Sequence, residues 1–421
     1  MSRPVVFDLT ELLLAATGRT RFYGIARTVD EIGAAQARLD PAVRFCVHSP
    51  AHGRFFEVPV ETGPGGAVSF GLPLGVRQWR VRSVRADRRP LRDAGAALLR
   101  ALAHARTRRA WSRAGVNLDR IDLDGATFVT AASPKVAVEQ IAALDRLGAG
   151  ARIVPLLYDL IPFHDEFEPR RAGFPSKFLA DNAFILRRAE RLLTISAFTR
   201  DEFLRFSEEG VLPPLPAGGV HPVPLVHECP AGDGPPAAPP PPEPYLLAVG
   251  AMLGRKNLEA VFDALSLLRA RGAAMPRLVI AGARRAATEE HLASDARAGI
   301  RDLVEFRHAP SQSDLVALYR AALATVVASR MEGWGLPAGE SLWLGTPALC
   351  ADVPALREVA GDLGLFFDPD RPDELADHAA RLMADASFAA ALRALIAAAR
   401  PGLRTWNDVA RDLRAALPPA A

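Results

Sequence analysis

The chain reads as an α/β protein made of two doubly wound parallel-sheet domains, and three observations predict it. Short apolar runs alternate with longer amphipathic stretches along most of the sequence, as strands do when each is followed by a covering helix. A length of 421 residues holds two domains of ordinary size, each with its own core. The alternation breaks once, between Pro213 and Pro244, where prolines crowd and end in the run 235–244. Little in that stretch is expected to form a core, so it reads as an extended linker. The expected division is therefore 1–212 as a first domain, 213–244 as the interdomain linker, 245–400 as a second domain, and 401–421 as a C-terminal helix packing back on the first domain.

Within the first domain, a strand over 4–8 opens the chain. A Gly- and Arg-rich loop from Gly18 to Gly24 follows, then a helix from Ile25 to Leu39. Residues 44–75 read as short strands and turns. Beyond them the pattern predicts strands over 126–131, 152–158 and 191–195, with helices over 135–147, 176–189 and 197–207. In the second domain the strands fall at 245–249, 277–281, 303–307, 323–328, 347–350 and 364–367. Its helices fall at 258–270, 287–298, 312–322, 371–385, 388–399 and 405–417. No internal repeat at a solenoid period is visible.

Composition sets limits on function. An apolar content of 49% with 24% charged residues is that of a soluble globular protein, and a net charge of +3 is too small to argue for nucleic acid. Three scattered cysteines (Cys46, Cys229, Cys350) with no CxxC pair suggest a reducing compartment and no metal cluster. Asp8 and Glu11 interrupt the N-terminal apolar stretch, and no long uncharged apolar run follows, so neither a signal peptide nor a membrane span is expected. Between Arg77 and Arg113 lie twelve arginines against two aspartates, interleaved with Leu, Ala, Val and Trp. That stretch is either a solvated arginine face or a basic amphipathic surface lying on an anionic membrane leaflet. A cytoplasmic protein, free or peripheral on the membrane face, is the expectation.

Two turns carry the chemistry. From Glu332 to Glu340 two carboxylates stand eight positions apart, with Gly333, Gly335, Gly339 and Pro337 between them. The segment leaves an apolar strand and enters a helix. Pro337 suits a first helical turn, and the glycines let the backbone approach a ligand. A carboxylate before the turn can accept sugar hydroxyls, a second one inside the helix another hydroxyl pair, and the helix N-terminus a phosphate between them. This suits a nucleotide diphosphate sugar, although a glutamate near a helix start also complements the macrodipole with no ligand at all. The second turn, Gly250 to Asn257, likewise runs from strand to helix and would open on the same sheet edge. Its Arg255 offers a planar fork and its Lys256 a compact charge, both suited to a diphosphate, in a chain with only three lysines. The alternative is a solvated Arg-Lys pair beside an asparagine cap.

With both turns in view, the second half resembles the donor domain of the retaining glycosyltransferases of family 4, which have the GT-B fold: two Rossmann-like domains facing a central cleft. The resemblance rests on residues 249–257, 314–322, 332–340 and 352–358, in that order, with Trp334 where phenylalanine is usual. Weaker matches lie at 6–10, at Tyr23 to Arg27, at Leu157 to Pro162 with His164 to Pro169, and at 195–199. The resemblance implies that Glu332 holds donor-sugar hydroxyls and that the backbone of Gly333, Trp334, Gly335 and Leu336 faces sugar and phosphates. It further implies that Glu340 binds the ribose, while Arg255, Lys256 and the Gly250 loop meet the diphosphate. Pro310, within 307–311, is expected beside the base. On the acceptor side it implies Gly24, Arg27, Asp159 and His164. Two departures stand out: Ala251 occupies a place where some members carry arginine, and Tyr158 a place where many carry histidine. Tyr158 is therefore expected beside Glu332, Arg255 and Lys256 among the catalytic residues, donating a hydrogen bond to the sugar.

The expected activity is transfer of a hexose, mannose or a relative, from a nucleotide diphosphate sugar to a hydroxyl of a saccharide or lipid-linked acceptor, in polysaccharide synthesis. Retention of anomeric configuration is implied by the family. No His/Cys/Asp cluster with metal-ligand spacing is read along the chain, so no metal and no cofactor are expected. The competing readings are a GT-B epimerase or phosphorylase, a non-catalytic nucleotide-sugar-binding subunit, and a dinucleotide oxidoreductase. The last lacks G-x-G-x-x-G spacing at Gly250.

Overall fold

The computed structural model describes residues 3–15, 24–81, 90–164, 174–216, 218–232 and 234–419. The Gly- and Arg-rich loop up to Tyr23, residues 82–89 of the arginine stretch and residues 165–169 beyond His164 lie outside the described residues.

The first domain is built on β1 (Val5–Asp8), β2 (Arg44–Ser49), β3 (Arg54–Glu57), β4 (Val60–Thr62), β5 (Val68–Phe70), β6 (Thr127–Thr130), β7 (Arg152–Leu157), β8 (Leu192–Thr194) and β9 (Val220–Pro222). Seven of these form one sheet in the order β3-β2-β1-β6-β7-β8-β9, while β4 and β5 make a separate hairpin. Its pairings are parallel except β2 with β3. The apolar runs at 6–7 and 153–157 are buried on both faces, which is why they read as continuous rather than alternating.

The second domain adds β10 (Tyr245–Val249), β11 (Arg277–Gly282), β12 (Val304–His308), β13 (Ala324–Val327), β14 (Ala348–Ala351) and β15 (Gly364–Phe367). They form an all-parallel sheet in the order β12-β11-β10-β13-β14-β15. The strand order reverses between β10 and β13, and ligands of such sheets bind in the crevice beyond the carboxyl ends at that reversal. The register sets Ala248 beside Val326, so the chains leaving β10 and β13 emerge level with one another.

Several expectations change on contact with the structure. The linker is not bare from 213. Val220–Pro222 adds an edge strand to the first sheet, and Val223, Leu225, Val226 and Cys229 behind it are buried. Proline is tolerated there because an edge strand leaves one side unpaired. The extended run begins at about Pro230 and lies on the second domain, where Asp314 accepts the N–H of Ala237 at 2.7 Å and Arg307 donates to the carbonyl of Pro239 at 3.1 Å. The helix expected over 287–298 stops at Leu292, and Asp295–Leu303 continues as tighter 3₁₀ turns. Two short helices, Thr10–Ala15 and Pro354–Ala360, were not anticipated. In the arginine stretch, Pro90–Arg113 is one helix that turns Ala103, Thr107 and Trp111 inward and leaves Leu98, Leu99 and Leu102 exposed.

The C-terminal helix Trp406–Ala416 lies along the helix Ile25–Leu39. Gln36 donates to the carbonyl of Ala410 at 2.9 Å, Arg414 pairs with Asp40, and Arg191 donates to the carbonyl of Ala416 at 2.7 Å. The last helix thus ties the second half of the chain to the first domain.

Candidate functional site

At the sheet reversal the two turns meet. The chain leaves β10 through Gly250, whose φ of 101° only glycine adopts without strain, and reaches Asn257 by one 3₁₀ turn carrying Arg255 and Lys256. The neighbouring chain leaves β13 through Ser329 and Arg330 to Glu332. The backbones are tied together, since Arg330 N–H donates to the Arg255 carbonyl at 2.8 Å. Lys256 Nζ pairs with Glu332 Oε1, and Arg255 Nη1 lies 3.4 Å from Glu332 Oε2 and 2.9 Å from the Met331 carbonyl. Gly250, Lys256, Ser329 and Pro337 line the recess between the strands.

Glu332 is almost wholly buried. Burial alone would raise its pKa, but the charges of Lys256 and Arg255 outweigh it and hold the carboxyl below its ordinary range. It is therefore an ionised acceptor, available to hydroxyl donors, beside two cations. Together Arg255, Lys256 and Glu332 carry a net positive charge of one, which suits an anionic leaving group flanked by hydroxyls.

Beyond Glu332 the turn becomes an interdomain contact. A Cβ on Gly333 would collide with the carbonyl oxygen of Tyr158 and lie 3.1 Å from Ile195 and 3.2 Å from Asp159, all in the first domain. Thr199 Oγ1 donates to the Gly333 carbonyl at 3.4 Å. Trp334 is buried, and the indole N–H that a phenylalanine would lack donates to the Val226 carbonyl at 3.0 Å. Gly335 caps the helix Leu336–Trp343 at φ 105°, with Leu356 packed against the space a side chain would need.

Glu340 lies one turn into that helix and is 4% exposed. Each of its two oxygens accepts one bond: Tyr319 Oη donates to Oε2 at 2.8 Å, and Arg27 Nη1 donates to Oε1 at 2.7 Å. Arg27 belongs to the first turn of the helix Ile25–Leu39, whose N-terminal Gly24 has φ 58° and open space around it. The residue expected on the acceptor side therefore touches the carboxylate expected at the ribose. A further contact joins the domains nearby. The Glu358 carboxylate accepts the N–H groups of Ala197 at 2.8 Å and Phe198 at 3.2 Å, capping a helix of the other domain.

Of the other expected residues, Tyr158 and Asp159 meet the turn at Gly333, and His164 and Pro310 face other neighbours. Tyr158 donates its hydroxyl to the Ala131 carbonyl at 2.7 Å, and burial pushes its pKa well above the usual value. What it presents to the second domain is its carbonyl. His164 faces Glu202 at 2.5 Å and the ring of Phe206. Asp159 abuts Gly333 and accepts the Ile161 N–H at 3.2 Å. Pro310 follows Ala309, a non-glycine residue at φ 47°, in the turn beyond the edge strand β12. Ala251 is buried and its carbonyl accepts the Thr288 hydroxyl at 3.0 Å, so a longer side chain has no room there without movement. Sequence reasoning missed Tyr319, Glu358 and the pairing of Arg27 with Glu340. The segments holding Tyr319 and Glu358 had been recognised, but nothing in them told which side chain turns to which domain.

Among the described residues no group of three His, Cys, Asp or Glu side chains is placed to hold a metal, and no single helix is long and apolar enough to cross a membrane.

Residues 235–400 match the family described as Glycosyl transferases group 1. The chain is 32% identical over 145 residues to O-antigen chain mannosyltransferase B of Escherichia coli, covering 34% of this chain and 38% of that one. It is 33% identical over 146 residues to the GDP-mannose:cellobiosyl-diphosphopolyprenol alpha-mannosyltransferase of Xanthomonas campestris, covering 33% and 38%. It is 38% identical over 128 residues to D-inositol 3-phosphate glycosyltransferase of Frankia alni, covering 29% and 31%. The alignments thus span less than two-fifths of each relative's length. Among solved structures, sucrose-phosphate synthase from Thermosynechococcus elongatus superposes with a TM-score of 0.63 at 16% identity, covering 98% of both chains. An Anabaena protein solved with UDP-glucose superposes with a TM-score of 0.53 at 14% identity, over 69% of this chain and 77% of that one. The architecture is GT-B: two Rossmann-like domains facing a cleft.

Proposed function

We propose that the protein is a hexosyltransferase that moves a sugar, mannose or a close relative, from a nucleotide diphosphate sugar to a hydroxyl of a saccharide or lipid-linked acceptor, with retention of configuration. The observation that carries this reading is the convergence of Glu332 with Arg255 and Lys256 at the reversal of the second sheet. The mannosyltransferase relatives support the choice of sugar.

In this reading Glu332, kept ionised by its cations, accepts donor-sugar hydroxyls. Charge grows on the departing diphosphate as the anomeric carbon becomes oxocarbenium-like, and Arg255 and Lys256 stabilise that growth in a partly water-excluded site. The acceptor hydroxyl attacks from the face the diphosphate leaves, and its proton passes to a leaving-phosphate oxygen. Glu340 takes the ribose hydroxyls. The phenol of Tyr158 serves structure, and its carbonyl helps form the closed interface. The helix Pro90–Arg113 rests on an anionic leaflet through exposed Leu98, Leu99 and Leu102, with the exposed Arg106, Arg109 and Arg113 along the same side, which suits a lipid-linked acceptor.

A thermal-shift series with UDP, GDP and their hexose conjugates tests the donor. A ligand at a hundredfold excess over Kd should stabilise the protein by about 2.7 kcal/mol. The absence of any shift with every nucleotide tried at millimolar concentration would refute the donor reading. Anomeric analysis of the product by NMR tests retention.

A further inference from the structure

The pair between Arg27 and Glu340 joins residues 313 positions apart, one from each domain. It therefore exists only when the domains stand close. The other partner of Glu340, the hydroxyl of Tyr319, comes from the same domain and is fully buried, so it holds the carboxylate whatever the cleft does. An ionised carboxylate has about four acceptor positions. With two taken, two remain, and vicinal hydroxyls of a ribose need two.

Charge bears on the same point. Without Arg27, Glu340 would be a buried anion facing the phosphates of any nucleotide bound here, and like charges repel. With Arg27 in place that corner of the site is neutral, and the excess cation among Arg255, Lys256 and Glu332 meets the diphosphate unopposed. The nearest other carboxyl on this helix, Glu31, ionises less readily than an exposed glutamate. Burial pushes Glu31, one helical turn on, up to about 7 against the pull of Arg27, and Asp30 up to about 6. Two further donors of Arg27, Nε and Nη2, are buried and meet no acceptor among the described residues.

We propose that Arg27 is a positioning residue for a nucleoside diphosphate: from the first domain it orients and neutralises Glu340, and so couples closure of the two domains to occupation of the nucleotide site. The nucleotide half of this inference rests on the donor reading above, whereas the closure half rests on the pair alone.

The test uses the full chain as parent, Arg27→Gln, Arg27→Lys and Glu340→Gln, each confirmed folded by its melting curve. Spin labels on cysteines introduced at Lys135 and Asp302, both exposed and on different domains, report the interdomain distance, since the three native cysteines are buried. Titrations with UDP and GDP, and with uridine and guanosine, report affinity with and without phosphates. Arg27→Gln should widen the distance distribution of the empty protein and weaken diphosphate binding by about tenfold, while the nucleosides lose much less. Arg27→Lys should recover most of both effects. A distance distribution and a diphosphate affinity unchanged in Arg27→Gln would overturn the proposal. Equal losses for nucleoside and diphosphate would overturn the neutralising role. If the parent binds neither UDP nor GDP, the donor reading and the nucleotide half fail together, and the distance measurement alone then supports or overturns the clamp.

Discussion

Replacing Lys256 by methionine keeps an unbranched apolar stem and removes one charge, and the structure says where each consequence falls. Lys256 is a partner of a carboxylate that is 8% exposed, and after the change Glu332 keeps Arg255 at 3.4 Å. Removing a sole partner of a buried ion costs about 3–5 kcal/mol. Here one cation remains, so we expect a smaller loss of about 1–3 kcal/mol, near that of leaving one buried group under-bonded. Catalysis should suffer more. Losing one donor from a site where negative charge develops lowers turnover by roughly 10²–10³, and the loss should fall on kcat because the charge grows toward the transition state. Release of nucleoside diphosphate from the donor sugar, followed in a coupled assay, separates kcat from KM. The decisive variant combines Lys256→Met with Glu332→Gln. If the pair is only a structural ion pair, the double replacement restores stability and turnover together, since a neutral pair of similar size often fits as well as a buried salt bridge. If both residues serve the donor, stability returns and turnover does not. Turnover at the parent level in Lys256→Met would refute the site.

Gly333→Ala should prop the domains apart, because its methyl would collide with the Tyr158 carbonyl while both domain cores stay untouched. We expect turnover to fall at least about tenfold with a melting point close to the parent's, as misplacement across a cleft is costly; unchanged turnover would count against a closed working state. Asp8 is fully buried, and desolvation pushes its pKa up to about 6 from 3.8. The folded protein then keeps this proton where the unfolded chain has lost it, so the group's stability contribution is full below about pH 3.8 and is lost as pH rises through 6. The difference is about 3 kcal/mol. Asp8→Asn should flatten that decline in denaturant midpoints between pH 4.5 and 7.5, and parallel profiles would contradict it. Vesicles containing anionic lipid should sediment with the parent and less so with Leu98→Ser/Leu99→Ser/Leu102→Ser, each inserted leucine contributing about 1.5–3 kcal/mol. A parent that stays in the supernatant at low salt would remove the membrane reading.

The elements legible in the sequence were those whose two ends carry local signals. The helix Ile25–Leu39 begins after Gly24 and ends before an extended Asp40, and β10 is an apolar run following prolines. What escaped had weak local signals or borrowed its stability from afar. Thr10–Ala15 is too short to show a helical period, and its start is fixed by Asp8 accepting the Thr10 N–H. β9 is three residues long in a proline-rich setting, and only its ladder with β8 makes it a strand.

The site divides along the same line. Glu332, Arg255 and Lys256 were found because each sits in a strand-to-helix turn, and the sheet order of a doubly wound domain brings two such turns to one edge. The environment of Glu340 was not found, since half of it comes from a helix of the other domain. The same holds for Glu358, whose carboxylate caps a helix more than 150 positions earlier in the chain. A parallel sheet fixes its own crevice from nearby sequence, whereas a cleft between two sheets is fixed by how they dock. The residues that bridge that cleft are therefore the ones a single sequence hides. Arg27, Gly333 and Glu358 are all of this kind, and all three would separate if the domains opened. Substitutions there should alter ligand coupling with little effect on either domain's core, whereas substitutions at Lys256 and Glu332 should alter the chemistry with the domains still closed.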